Sequence, residues 1–262
     1  MQIGCCYSLS KENARWLKAA GSAYLEGGFS SLAALSAEEA RTLAEEVTAV
    51  LPVPVMNLMF PGELKLVGES VNYAAIDCYL EETLEKAVRF GTKKVVFGSG
   101  GPRRVPEGFS HEIAFRQLVT LCREHIAPAF ERHGMVCCVE PLNRRECNIL
   151  TTSGEVFRLV QAVDHPAVRL LIDLYHFDLE QEPLACIENY RGAVGHVHIA
   201  SAKNARALPK PGDSEDYAAF FAVLKKAGYD GLVSLEGTAP DLSTAEGINA
   251  LAGNIAYLKQ QF

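Results

Sequence analysis

Apolar residues gather in eight short runs rather than alternating singly with polar ones. The runs are Gln2–Tyr7, Ala23–Gly27, Val53–Met59, Lys94–Gly98, Met135–Glu140, Val168–Asp173, Gly195–Ala200 and Leu232–Glu236. They are rich in Val, Ile, Leu and Cys and mostly apolar on both faces, as parallel strands covered by helices should be. Between them the pattern lengthens to a helical period. Ser36-Ala37-Glu38-Glu39 has the form of a capping box before a helix reaching Val50, and Thr152-Ser153-Gly154-Glu155 has the same form. From Val71 to Phe90, apolar residues recur at Val71, Ala74, Ala75, Cys78, Leu84, Ala87 and Val88, with Gly91 placed to cap the end. Asp213 or Ser214 is expected to start a helix that carries Tyr217, Phe220, Phe221 and Leu224 on one face and stops near Gly228.

Eight strand-then-helix units predict a (β/α)8 TIM barrel, and 262 residues suit one, since such barrels run to about 250. No linker or low-complexity stretch divides the chain, so residues 1–262 read as a single TIM-barrel domain. A doubly wound open sheet is the alternative. What favours closure is a set of potential metal ligands at the ends of the last four runs: Glu140, Asp173, His198 and Glu236. They are 33, 25 and 38 residues apart, close to the ~30 residues of one βα unit. In a closed barrel they converge on one mouth as a divalent-metal site. In an open sheet they would be strung out at ~4.8 Å per strand.

Composition narrows the choice of partner. A net charge of −7 and a pI of about 5.6 argue against nucleic acid or an anionic membrane, and no apolar stretch reaches the ~18 residues needed to span a bilayer. The opening Met1-Gln2-Ile3-Gly4-Cys5-Cys6 reads as a first strand rather than a signal peptide. The eight cysteines include two adjacent pairs, Cys5-Cys6 and Cys137-Cys138, and no CxxC. They are read as reduced core residues, which fits a cytoplasmic protein.

Around the four ligands the chain reads Glu140-Pro141-Leu142-Asn143-Arg144-Arg145-Glu146, Asp173-Leu174-Tyr175-His176, His196-Val197-His198 and Leu235-Glu236-Gly237. In this order, the four segments resemble the xylose-isomerase-like barrel superfamily. More narrowly, they resemble its sugar and sugar-phosphate isomerases and epimerases of the tagatose/psicose 3-epimerase and hydroxypyruvate-isomerase type. The resemblance implies that Glu140, Asp173, His198 and Glu236 hold one divalent metal ion. Manganese is the first choice, with Mg2+, Co2+ or Zn2+ as alternatives, because the set is rich in hard oxygen donors. It implies Glu140 and Glu236 as the catalytic acid/base pair, acting through a cis-enediolate, and Glu146, His176 and Arg206 as substrate contacts. Arg206 departs from the pattern: the family arginine follows the metal histidine by about six residues, and here that position is Asn204. The substrate would be a keto sugar or sugar phosphate, and a homo-oligomer (dimer or tetramer) is implied without an assigned interface.

Other readings stay open at this point. A keto-sugar or inosose dehydratase would use the same enolate chemistry. A nuclease of the endonuclease-IV type would need histidines at the ends of strands three and four, where Asn57 and Gly98-Ser99 stand. A non-enzymatic binding barrel would not be expected to keep both glutamates. The loop Gly98-Ser99-Gly100-Gly101-Pro102-Arg103-Arg104 could approach an anion through its backbone and arginines, or be a plain glycine-rich turn. Arg144 and Arg145 could bind phosphate, but are read first as solvated charges. Tyr7 and Asn57 are expected at the mouth, and Trp16 in the core or an interface. His111, His125, His133 and His165 are placed at the surface. His196 is expected to point away from His198 and either to pack in the core or to support the ligands from behind.

Overall fold

The computed structural model describes residues 1–262 and closes eight parallel strands in sequence order. They are β1 (Gln2–Cys6), β2 (Leu25–Gly28), β3 (Val55–Asn57), β4 (Lys94–Phe97), β5 (Val136–Val139), β6 (Val168–Asp173), β7 (Val194–Ile199) and β8 (Leu232–Leu235). β8 pairs back onto β1, from Gln2 opposite Leu232 to Cys5 opposite Leu235, which rules out the open sheet. The helices are α1 (Lys11–Ala19), α2 (Ala37–Thr48), α3 (Tyr73–Val88), α4 (His111–Thr120), α5 (Ala127–Arg132), α6 (Ser153–Val163), α7 (Leu174–Leu179), α8 (Tyr217–Lys226) and α9 (Ala245–Lys259). None is long and apolar enough to cross a membrane.

Strand alternation sorts side chains into two apolar layers. Ile3, Cys5, Phe97, Cys137, Ile172 and Val233 belong to the large core that includes the helices. Tyr24, Val55, Val96, Cys138 and Leu171 form a smaller cluster. The adjacent pair Cys137-Cys138 is thus divided between the two. All eight cysteines are free, and only Cys78 is exposed. Gly4 makes room within the barrel: a Cβ there would lie 2.3 Å from the ring of Tyr24.

The helix signals hold with local corrections. α2 starts with the full capping box at Ser36 and Glu39. Before α6, Thr152 accepts from Glu155 N–H, but the Glu155 carboxylate accepts from Thr151 N–H, one residue earlier than a capping box requires. Asn72 caps α3 and Gly91 follows in the left-handed region at φ +73°. α8 begins at Asp216 rather than Asp213 or Ser214. The Asp213 carboxylate is occupied by Lys210 N–H and the Tyr217 hydroxyl, leaving Asp216 to accept from Ala219 N–H. His125 and His133 are half-buried: His125 meets Asp77 at 2.7 Å, and His133 Nδ1 lies 2.8 Å from the Ala129 carbonyl.

Candidate active site

The four spaced ligands do converge. Glu140 follows β5 directly, Asp173 ends β6, His198 is the penultimate residue of β7 and Glu236 follows β8. Asp173 and His198 are register partners on neighbouring strands. One ligand atom from each of the four lies within 4.8 Å of the others. His198 Nδ1 is 3.1 Å from Glu140 Oε1 and 3.3 Å from Glu236 Oε2.

β4 makes space for this cluster. A Cβ on Gly98 would sit 1.9 Å from Glu140 Oε2, so glycine directly after β4 lets the carboxylate lean across it. This steric role accounts for Gly98 without an anion. Arg103 in the same loop is fully buried and aims inward, donating to the carbonyls of Phe97 at 3.0 Å and Glu140 at 2.7 Å. Arg104 donates to the Glu146 carbonyl and Arg144 pairs with Glu180.

Electrostatics within the cluster are unbalanced. Burial, then the charges of Glu140 and Glu236, push the Asp173 carboxyl well above its usual range. Asp173 Oδ1 accepts from Tyr175 N–H at 2.8 Å, while buried Oδ2 has no hydrogen-bond partner. Burial would lower His198, but Glu26 and Glu236 hold it well above the ordinary imidazole value. Burial likewise raises Glu236, but His198 and Arg206 outweigh it and hold the carboxyl down to about 2.

The three expected substrate contacts border this cluster. His176 Nδ1 accepts from Asn143 N–H at 3.2 Å and lies 2.9 Å from Asn143 Nδ2, so Nε2 carries the ring proton. That Nε2 is buried, lacks a hydrogen-bond partner and lies 3.5 Å from Asp173 Oδ2. Burial lowers His176 to about 4, leaving a neutral ring. Glu146 Oε1 accepts from Asn143 Nδ2 at 2.9 Å. Arg206 donates to Glu236 Oε2 at 2.8 Å, lies 3.7 Å from Glu146 Oε1 and packs 4.7 Å over the Tyr175 ring. A cavity of about 410 Å³ opens beside Glu146 and Arg206, lined by Asn57, Leu58, residues 98–101, Glu140, Leu142, Glu146, Arg206 and Glu236; the buried His176 is not in its lining. Asn57 reaches Glu236 Oε1 at 3.5 Å, while the Tyr7 hydroxyl donates to the Pro240 carbonyl.

His196 departs from expectation. Residues i and i+2 of a strand share a face, so His196 and His198 both point into the barrel. Their Nε2 atoms meet one carboxylate, Glu26 on β2, at 2.9 Å and 2.8 Å. Glu26 also accepts from the Ser234 hydroxyl at 2.5 Å, and the Tyr24 hydroxyl lies 2.8 Å from Ser234 Oγ. Burial would raise the Glu26 carboxyl, but His198 and His196 hold it far below the usual range. Sequence reasoning missed this residue. The available signal was an acid inside the apolar run Ala23–Gly27.

The family model described as xylose isomerase-like TIM barrel matches residues 14–260. Among curated proteins, 3-dehydro-D-guloside 4-epimerase of Escherichia coli (strain K12) is 36% identical over 123 residues, covering 47% of this chain and 46% of that protein. The ketose 3-epimerase of Arthrobacter globiformis is 31% identical over 121 residues, covering 44% of this chain and 41% of that protein. Each match therefore spans less than half of the relative's own length. The crystal structure of D-psicose 3-epimerase with D-tagatose from Clostridium cellulolyticum H10 superposes with a TM-score of 0.84 at 17% identity, covering 99% of this chain and 98% of that one. The apo 3-keto-D-glucoside 4-epimerase of E. coli gives 0.77 at 23% identity, covering 99% of both chains. At these identities the two structures bear on the fold alone.

Proposed function

Because the chain belongs to the xylose isomerase-like TIM barrel family, we propose that it is a metal-dependent isomerase that moves or inverts a stereocentre beside the carbonyl of a keto sugar or sugar phosphate. The observation that carries this reading is the convergence of Glu140, Asp173, His198 and Glu236 within 4.8 Å. These residues fit a divalent cation. Three carboxylates and an imidazole are gathered with little solvent, and Asp173 Oδ2 is a buried acceptor with no donor. Leaving such an atom unsatisfied costs about 1–3 kcal/mol, which a bound cation would relieve. The oxygen-rich set suits Mn2+ first. When bound, the cation supplies electrophilic stabilisation of the negative charge that develops on the substrate oxygens.

The chain's own groups do the rest. Glu236, steadied by Arg206, is held ionised and can accept the proton from the carbon beside the carbonyl. Glu140 approaches from β5, three strands away around the barrel, and can return a proton from a second direction, as epimerisation requires. An aldose–ketose isomerisation would need only one of the pair. Neutral His176 presents Nε2–H as a donor to a substrate oxygen, and Glu146 can accept from a hydroxyl. Arg206, lining the cavity, both orients Glu236 and offers donors to the substrate.

The test is proton exchange followed by NMR. Mn2+-loaded protein is incubated in D2O with a panel of ketoses and their phosphates. Metal-dependent deuterium uptake beside the carbonyl of one panel member is expected. The labelled position and the product separate epimerase, isomerase and dehydratase. No exchange across the panel, with metal bound, would count against enolate chemistry.

A further inference from the structure

The Glu26 carboxylate is completely buried beneath the four-ligand cluster, and its hydrogen bonds come from two imidazoles and a hydroxyl, with no lysine or arginine among them. A carboxylate so enclosed is costly unless every lone pair is used and a positive charge lies near. Both of its oxygens have partners. His198 Nε2 approaches Oε1, His196 Nε2 approaches Oε2, and Ser234 Oγ donates to Oε2. The same His198 ring turns its other nitrogen, Nδ1, toward Glu140 and Glu236.

We propose that Glu26 is a positioning residue for the metal: its carboxylate accepts a hydrogen bond from His198 Nε2–H and so keeps the bare Nδ1 lone pair facing the cation. This deepens the proposed function and rests on His198 being a metal ligand. A carboxylate behind a ligating imidazole fixes its tautomer and orientation and raises its basicity, and losing such a partner typically costs about 10–100-fold in metal affinity. Ser234 and His196 anchor Glu26 in turn. Tyr24, whose ring fills the space left by Gly4, lies against Ser234.

Glu26→Gln makes the test nearly isosteric. An amide cannot accept from both imidazoles. Where its NH2 faces His198, the ring is driven to the Nδ1–H tautomer, with a proton where the cation should sit. Mn2+ titration, with free ion read by electron paramagnetic resonance, should give a Kd about 10–100-fold weaker than wild type, with the far-UV circular dichroism unchanged. Long-range 1H–15N correlation on Mg2+-loaded wild type should find His198 as the Nε2–H tautomer, a readout that a merely structural role for Glu26 would not require. If Glu26→Gln does not fold, Ser234→Ala carries the titration, because it removes one donor from the same carboxylate. It should weaken Mn2+ binding several-fold. Wild-type affinity in a folded Glu26→Gln protein, or His198 found as Nδ1–H, would overturn the proposal while leaving the four-ligand reading intact. Absence of Mn2+ binding by the wild type would overturn the four-ligand reading and this proposal together.

Discussion

Individual side chains at the barrel mouth act through atoms that their sequence neighbours do not reveal. Glu140 and Glu236 are each proposed to move a proton, so Glu140→Gln and Glu236→Gln should each fold normally and lose about 10²–10⁴-fold in kcat. Steady-state kinetics with bound metal measured in parallel checks this, and wild-type turnover in either variant removes the two-base mechanism. Gly98→Ala is the complementary change. It adds a Cβ that would lie 1.9 Å from Glu140 Oε2, at a backbone position that does not demand glycine. The flexible carboxylate yields rather than the strand, so Gly98→Ala should weaken metal binding at least tenfold and leave the melting temperature close to wild type. Calorimetric metal titration alongside a thermal melt reads both quantities. Glu26 was hidden from sequence reading because an acid in a buried strand makes sense only once its partners, on β7 and β8, are known.

At the scale of elements, short strands are tied together by side chains that leave the mouth free. Arg103 joins the end of β4, through the Phe97 carbonyl, to the residue after β5, through the Glu140 carbonyl. It also lies 5.5 Å from the Phe97 ring centroid. Removing charge-assisted bonds to buried carbonyls costs about 1.5–3 kcal/mol each, and the Phe97 carbonyl still accepts from Glu140 N–H. Arg103→Met should therefore destabilise the protein by about 3 kcal/mol and loosen Glu140. A melting temperature within 1 °C of wild type would contradict this role, since ~1 kcal/mol moves it by roughly 2–4 °C at this size. Periodicity located the strands to within a residue or two. Cap chemistry was less legible: Asp213, Ser214 and Asp216 are all competent caps, and only the capture of Asp213 by Tyr217 and Lys210 decides among them.

For the molecule as a whole, metal, protons and stability should be linked. Asp173 and His198 both have folded pKa values raised above their ordinary ones, so both bind a proton more tightly in the fold than in the unfolded chain. That contribution is present at low pH and is lost as pH rises through the raised values. A cation that takes both as ligands must displace those protons. Mn2+ binding should therefore release protons, strengthen with pH, and raise the melting temperature more at pH 8 than at pH 5. At 100 times Kd the gain is about 2.7 kcal/mol, or roughly 5–10 °C. Calorimetry in buffers of different ionisation enthalpy measures the release, and proton uptake would refute the assignment. The sequence by itself determined the eight β/α units and the order of ligands at their ends, because burial on both faces and capping are local properties written in adjacent residues. It also carried Glu140, Asp173, His198 and Glu236, because strand ends recur at the period of the unit. The shared face of His196 and His198 was also local, since i and i+2 of one strand point the same way. Only the tertiary structure decided closure of β8 onto β1 and the inward turn of Arg103, along with the carboxylate beneath the cluster. Closure and the contacts of Glu26 depend on which residues of distant strands meet, and a meeting across 170 residues, as between Glu26 and His196, leaves no local trace in the chain. Arg103 turns inward to carbonyls at the end of β4 and just after β5, which no side-chain pattern marks.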